Sequence, residues 1–287
     1  MSSSKVWFVT GASRGFGRRW SEAALQRGDK VVATARDPGT LAGLAQQYGD
    51  AVLVLALDVT DRAAVFEAVR QGHARFGRLD VILSNAGYGY MSAVEEIDPE
   101  QARANFETNV WGTLSVIQAA LPILRAQGSG HILTLSSIAG MVSLPTGGTY
   151  LASKWAVEAL SEALAGEVAG FGIKVTIIEP GSFSTGFRAA TQAAPAMAHY
   201  AALRNEVHGR FNGALIGDPA ATVPAILALV DAHTPPLRLI LGDWLLPMVK
   251  AAYQARIQTW EQWAQVSDAA QGRPKATPAA PPLHPNR

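Results

Sequence analysis

Seven short runs of apolar residues recur along the chain, separated by longer stretches in which apolar positions repeat every three or four residues. The runs are KVWFVT (5–10), KVVATA (30–35), AVLVLAL (51–57), LDVILS (79–84), HILTLSS (131–137), IKVTIIE (173–179) and LRLIL (237–241). They are continuous rather than alternating, which is the pattern of strands covered on both faces. The stretches at 15–27, 61–76, 100–126 and 150–169 carry the period of helices. This repetition predicts one α/β, doubly wound domain over residues 1–270, a seven-stranded parallel sheet with helices on both faces. Asp98-Pro99 and Asp218-Pro219 read as helix starts, an aspartate cap followed by proline in the first turn. Between about 186 and 216 the periodicity loosens, and this insertion is expected to form a mobile substrate lid. Residues 271–287, rich in proline and alanine, are expected to be a disordered tail.

Composition narrows the function classes. The chain has 287 residues, 48% hydrophobic and 16% charged, enough for a sizeable core. Its net charge of +1 offers no surface for nucleic acid or an anionic membrane. The absence of cysteine excludes disulfides, thiolate metal sites and a cysteine nucleophile, and suits a cytoplasmic location. No run reaches the ~18 apolar residues of a membrane span. The six histidines are scattered without an i, i+4 pair, so no metal site is expected.

Chemistry first shows in TGASRGFG, where Gly11, Gly15 and Gly17 follow the first strand and open a helix. Glycine allows a tight turn and close backbone approach to a diphosphate, and the helix N-terminus supplies N–H donors. The second strand ends in Ala35 and Arg36, where a NAD site would place a carboxylate. Arg36 and Arg14 suit a 2′-phosphate, so the expected cofactor is NADP(H); Asp37 keeps the ribose-hydroxyl alternative open. Further on, Tyr150 and Lys154 are spaced i, i+4 in YLASK and share one helix face. A nearby ammonium, together with the positive nicotinamide of the oxidised cofactor, is expected to lower the tyrosine pKa from ~10.

In this order, together with LDVT (57–60), NAG (85–87), Asn109 in ETNVWG, Ser137 in LSSIAG and PGSFST (180–185), the motifs resemble the classical short-chain dehydrogenase/reductase family over about residues 5–242. The resemblance implies a catalytic tetrad of Asn109, Ser137, Tyr150 and Lys154, with Asn109 on a kinked helix holding a water that links to the lysine. It implies cofactor contacts from Gly11, Ser13, Arg14, Gly15, Phe16, Gly17 and Arg36. Asp58 would face the adenine with Val59 behind it, and Asn85, Ala86 and Gly87 would line the adenosine ribose and phosphate. Pro180, Gly181 and Thr185 would border the nicotinamide. Apolar candidates for the substrate pocket are Val142, Leu144, Phe183, Phe187, Met197 and Tyr200.

The expected activity is NADP(H)-dependent interconversion of a hydrophobic ketone or aldehyde with its alcohol, in a branch resembling hydroxysteroid and retinol dehydrogenases. A catalytically silent NADP-binding regulator and a 3-ketoacyl reductase are the alternatives. Trp111, Leu114, Ile117, Trp155 and Leu160 exceed what one sheet-facing stripe requires, and the family resemblance implies that the two helices carrying them pair across a two-fold axis, so a homodimer or homotetramer is expected.

Overall fold

The fold is that of a computed structural model, which describes residues 4–210 and 216–272. Chain contacts resolve it into two compact units, Met1–Gly242 and Asp243–Arg287. The first half of the larger unit alternates β1 (Val6–Val9), α1 (Gly15–Gln26), β2 (Lys30–Ala35), α2 (Ala42–Tyr48), β3 (Val52–Ala56), α3 (Arg62–Phe76) and β4 (Val81–Ser84). A two-residue strand, β5 (Tyr90–Met91), precedes α4 (Pro99–Phe106) and α5 (Gly112–Gln127). Then come β6 (Gly130–Leu135), α6 (Gly148–Val168) and β7 (Ile173–Pro180). The loose segment forms α7 (Phe187–Ala190), the short β8 (Gln192–Ala193) and α8 (Ala201–Arg210), after which α9 (Val223–Asp231) and β9 (Arg238–Leu241) complete the unit.

All seven predicted strands form one parallel sheet in the order β3-β2-β1-β4-β6-β7-β9. Alternate side chains of each strand feed opposite cores. Trp7 and Val9 pack with Trp20, Leu41 and Ile226 on one face, while Phe8 packs with Val69, Val116 and Leu124 on the other. Chain order reverses at the central β1–β4 pair, where Val9 is in register with both Ala33 and Leu83. A crevice therefore opens beyond the carboxyl ends of β1 and β4, the usual ligand position in such sheets.

Local sequence accounts for the helix ends. Asp61 caps α3 by accepting from the Ala64 N–H, and Gly77 ends it in the left-handed region. Asp98 and Asp218 both act as the predicted caps, accepting from the N–H groups of Glu100 and Ala220. The expected single helix over 100–126 is interrupted by a π-turn at Glu107–Trp111 that joins α4 to α5. Residues 211–215 of the expected lid and 273–287 of the expected tail lie outside the described residues.

The second unit consists of α10 (Leu245–Gln262) and α11 (Ala264–Ala270), separated by Trp263. Among the described residues no helix is long and apolar enough to cross a membrane, and no three acidic or histidine side chains group as metal ligands.

Candidate active site

The floor of the crevice is the glycine turn, and steric contact dictates its composition. A Cβ on Gly17 would lie 2.4 Å from the Gly11 carbonyl oxygen, and one on Gly15 would lie 3.0 Å from the Thr185 Cβ. Gly11 and Gly15 also have φ of +69° and +59°. Asn85 stitches the turn to the end of β4, its amide donating to the Thr10 and Gly11 carbonyls at 2.8 and 3.0 Å. Thr10 answers by accepting the N–H groups of Asn85 and Ala86 on its hydroxyl. No acidic side chain stands in the first turn of α1, and its cap residue Arg14 uses no side-chain bond. These close-approach glycines and open N–H groups fit a diphosphate. Ser13 is half-buried in the same turn, whereas Phe16 turns into the core, stacking on Trp20 at 4.8 Å and meeting Phe183 edge-on at 5.2 Å.

At the outer end of β2, Ala35 is buried while Arg36 and Arg14 are exposed, and among the described residues neither arginine forms an ion pair. Asp37 is committed elsewhere, its carboxylate accepting from the Gly39 N–H at 2.9 Å to cap a 3₁₀ turn. Asp58 closes a local turn by accepting from the Thr60 N–H and hydroxyl. Val59 packs so tightly on Gly112 that a Cβ there would come within 2.7 Å of it.

The expected tetrad converges at the other end of the crevice. Ser137 follows β6, and its hydroxyl reaches the Pro180 carbonyl at 3.4 Å and accepts from the Ala139 N–H at 3.2 Å. It also hydrogen-bonds Tyr150. Tyr150 and Lys154 are 7% and 5% exposed, and the Lys154 ammonium donates to the Leu135 carbonyl at 2.7 Å. The ammonium lies 5.8 Å from the centre of the Tyr150 ring. Gly87 lies close to this end, where a Cβ on it would come 2.9 Å from the Asn109 side-chain oxygen and 3.8 Å from the Lys154 Nζ.

Asn109 sits in the π-turn, and its side chain holds the loop after β4. Its amide donates to the Tyr88 carbonyl at 3.0 Å and to the Ser153 hydroxyl at 2.9 Å, and its oxygen accepts from the Tyr88 N–H at 3.1 Å. Ser153 in turn donates to the Tyr150 carbonyl at 2.7 Å. Asn105, one turn earlier on α4, donates to the Tyr88 carbonyl at 2.9 Å. Sequence reasoning missed Ser153 and Asn105, although the i, i+4 spacing of Asn105 and Asn109 was a usable signal.

The expected fall in the tyrosine pKa is not what the protein alone produces. Burial pushes Tyr150 up to about 12, with the Ser137 bond opposing weakly. Burial also pushes Lys154 down to about 8, against the attraction of Glu158. Behind Lys154 lies a second polar cluster that the sequence did not reveal. Glu158, one turn further along α6, and Glu179 on β7 are both buried, and burial raises both carboxyls, Glu179 to about 8. Arg238 bonds Glu158 at 2.7 Å and approaches Glu179 only to 3.7 Å, so the cation opposes the rise more closely at Glu158, while the neighbouring Glu158 adds to the rise at Glu179.

The substrate side is covered by the loose segment. Gln192 donates to the Gly89 carbonyl and pairs β8 with β5, which seats α7 over the site. Phe187 then faces Tyr150, ring centres 5.3 Å apart. Of the other pocket candidates, Val142 is buried and Leu144 half-buried, in a loop where Thr146 takes a positive φ of 65°. Phe183 instead joins the core beside Phe16. Met197 and Tyr200 form a latch: the Met197 N–H donates to Glu96 at 2.7 Å and the Tyr200 hydroxyl donates to Glu95 at 2.5 Å. Arg204 closes it with two bonds to the buried Glu96, at 2.6 and 2.9 Å, holding that carboxyl below its ordinary pKa.

Known proteins match this arrangement. Residues 5–196 fit the short chain dehydrogenase family. The chain is 40% identical to oxidoreductase BOA17 of Botryotinia fuckeliana (strain B05.10) over 268 residues, covering 92% of this chain and 98% of that one. A short-chain dehydrogenase from Streptomyces avermitilis superposes with a TM-score of 0.88 at 38% identity, over 94% of this chain and 99% of that one. An alcohol dehydrogenase from the archaeon Thermococcus sibiricus, complexed with 5-hydroxy-NADP, superposes with a TM-score of 0.70 at 26% identity, over 85% and 98%. Proteins of this fold hold NADP in some structures and NAD in others. A glycine turn at the β1–β4 crevice, a tyrosine–lysine pair on α6 and these likenesses together show that the chain belongs to the short-chain dehydrogenase family of oxidoreductases.

Proposed function

We propose that the protein is an NADP(H)-dependent oxidoreductase that interconverts a hydrophobic ketone or aldehyde with its alcohol, with Tyr150 as the general acid and base. The observation that carries this reading is the burial of Tyr150 and Lys154 together, with half-buried Ser137 bonded to the tyrosine and Phe187 tilted over its ring. A phenol held up at about 12 is protonated at neutral pH, ready to donate to a carbonyl oxygen. Ser137 orients that oxygen through its hydroxyl, and Asn109 with Ser153 fixes the loop and helix turn on either side. Lys154, cationic below about pH 8, favours the phenolate that proton transfer leaves behind. A bound nicotinamide would supply or accept the hydride. Gly11, Ser13, Gly15, Gly17, Gly181 and Thr185 would hold its diphosphate side, and the uncommitted Arg14 and Arg36 support a 2′-phosphate, hence NADP rather than NAD. The apolar cover favours a hydrophobic substrate of the hydroxysteroid or retinoid kind over a ketoacyl thioester. We assign the enzyme to the cytoplasm, as a homodimer or homotetramer.

The test is NADPH oxidation against a panel of hydrophobic ketones and aldehydes. Tyr150→Phe should lower kcat by about a thousandfold while leaving NADPH affinity unchanged. A Tyr150→Phe enzyme within tenfold of wild type removes the tyrosine from the chemistry, and a wild type inert on every carbonyl supports the silent regulator. Arg36→Ala should reduce the NADPH over NADH preference in kcat/KM by roughly ten- to a hundredfold. An unchanged ratio overturns the two-arginine reading.

A further inference from the structure

Six of the twelve exposed large apolar side chains among the described residues fall between Leu246 and Val266. Four of them lie on α10: Leu246 at 49% exposed, Tyr253 at 42%, Ile257 at 41% and Trp260 at 68%. Their spacings of seven, four and three residues put them on one side of the helix at ~100° per residue. Half-buried Val249 falls in the same stripe. The side that carries buried Leu245 and half-buried Met248 and Ala252 lies roughly 110° further round, so the stripe is a second and separate apolar face. By contrast, on the helices expected to pair in an oligomer, Ile117 is buried in the core, Leu114, Trp155 and Leu160 are half-buried, and only Trp111 is exposed.

The charges beside the α10 stripe say what covers it. Lys250 and Glu261 are exposed and border it on the same flank. Two copies of the helix aligned antiparallel about Ala255 set Tyr253 against Ile257 and Val249 against Trp260. The same alignment sets Lys250 against Glu261 of the second copy, and each layer and each ion pair occurs twice. A parallel two-fold alignment would carry the partner's Lys250 and Glu261 to the opposite side of the seam, and neither ion pair would form. A lipid surface fits less well: Arg256 is half-buried with its guanidinium over the Tyr253 ring at 5.2 Å, acidic Glu261 borders the stripe, and the remaining exposed polar residues of the helix, Gln254, Gln258, Thr259 and Gln262, are uncharged.

We propose that α10 is a docking surface for a second copy of this chain, paired antiparallel across a two-fold axis near Ala255. The chain has no cysteine, so one introduced thiol reports the geometry. In the full-length protein, Ile257→Cys places two thiols roughly 6 Å apart along the axis on facing sides, whereas Ala255→Cys places them on the outer faces. A short bismaleimide should link the first variant into a covalent dimer and leave the second unlinked. Added to Ile257→Cys, Trp260→Glu should lower the linked fraction about tenfold. Lys250→Glu should lower it about fivefold, and the swap of Lys250→Glu with Glu261→Lys should restore it. Circular dichroism and NADPH oxidation check that each variant is folded. Linking at 257 no greater than at 255, or a swap that fails to restore it, overturns the proposal. Co-sedimentation with phosphatidylcholine–phosphatidylserine vesicles without linking overturns it in favour of a lipid surface.

Discussion

The floor of the active site and its cover are built in opposite ways. The floor is held redundantly: Asn85 bonds the Thr10 and Gly11 carbonyls, Asn109 bonds both backbone groups of Tyr88 and the Ser153 hydroxyl, and Ser153 bonds the Tyr150 carbonyl. The cover, from α7 to α8, is mostly exposed, and among the described residues the β5–β8 pairing and the latch of Arg204, Met197 and Tyr200 on Glu95 and Glu96 fasten it. The proposed chemistry thus sits on the heavily bonded part, and the proposed choice of substrate on the more exposed one.

That contrast is breakable from the floor first. Gly17→Ala drives a Cβ into the Gly11 carbonyl, which cannot retreat without moving β1. Affinity for NADPH should fall about a hundredfold or more, measured by fluorescence titration, with the fold retained. An affinity within threefold of wild type would mean that the turn is looser than its contacts indicate.

The latch gives a smaller and differently shaped effect. Arg204→Ala leaves Glu96 buried without its cation, so the cover should be held less firmly over Phe187 and Tyr150. KM for the carbonyl substrate should rise about tenfold with NADPH affinity unchanged, since only the cover is affected. A fall in kcat with KM constant would place Arg204 in the chemistry instead.

The smallest effect concerns Glu179, behind the floor. Its folded carboxyl is held up to about 8 from the ordinary 4.5, so the native state keeps a proton that the unfolded chain releases. The stability this contributes is fully present below about pH 4.5 and is lost as pH rises through about 8. Glu179→Gln mimics the protonated form and cannot ionise, so its Tm relative to wild type should increase by a few degrees between pH 5 and pH 9. A Tm difference constant across that range would show that the carboxyl is not the group losing stability.

The two regions also differ in how far they could be read in advance. Asp98, Asp218 and the seven apolar runs act locally, through capping and strand burial, and the structure realises each where the pattern put it. Gly11, Gly15 and Gly17 were legible because only glycine fits such contacts. The periodicity over 100–126 gave no sign of the π-turn, and only the family resemblance implied a kink at Asn109, because the turn is tied to Asn109 bonding a loop 21 residues away. Tyr200 and Met197 read as pocket linings because hydrophobicity does not say which way an exposed segment faces. Glu158 and Glu179 were invisible for a similar reason: they are 21 positions apart, and two glutamates ordinarily lie in solvent.

By itself, then, the order of residues determined the parallel sheet, the crevice at its reversal, the glycine turn and the tyrosine–lysine face of α6, since each rests on periodicity, steric limits or neighbours within one helical turn. Tertiary structure alone decided the upward shift of Tyr150, the carboxyl pair behind Lys154 and the latch on Glu96. Those depend on how much water is excluded from a group and which distant charge meets it, and both are set only when helix, strand and cover are packed together.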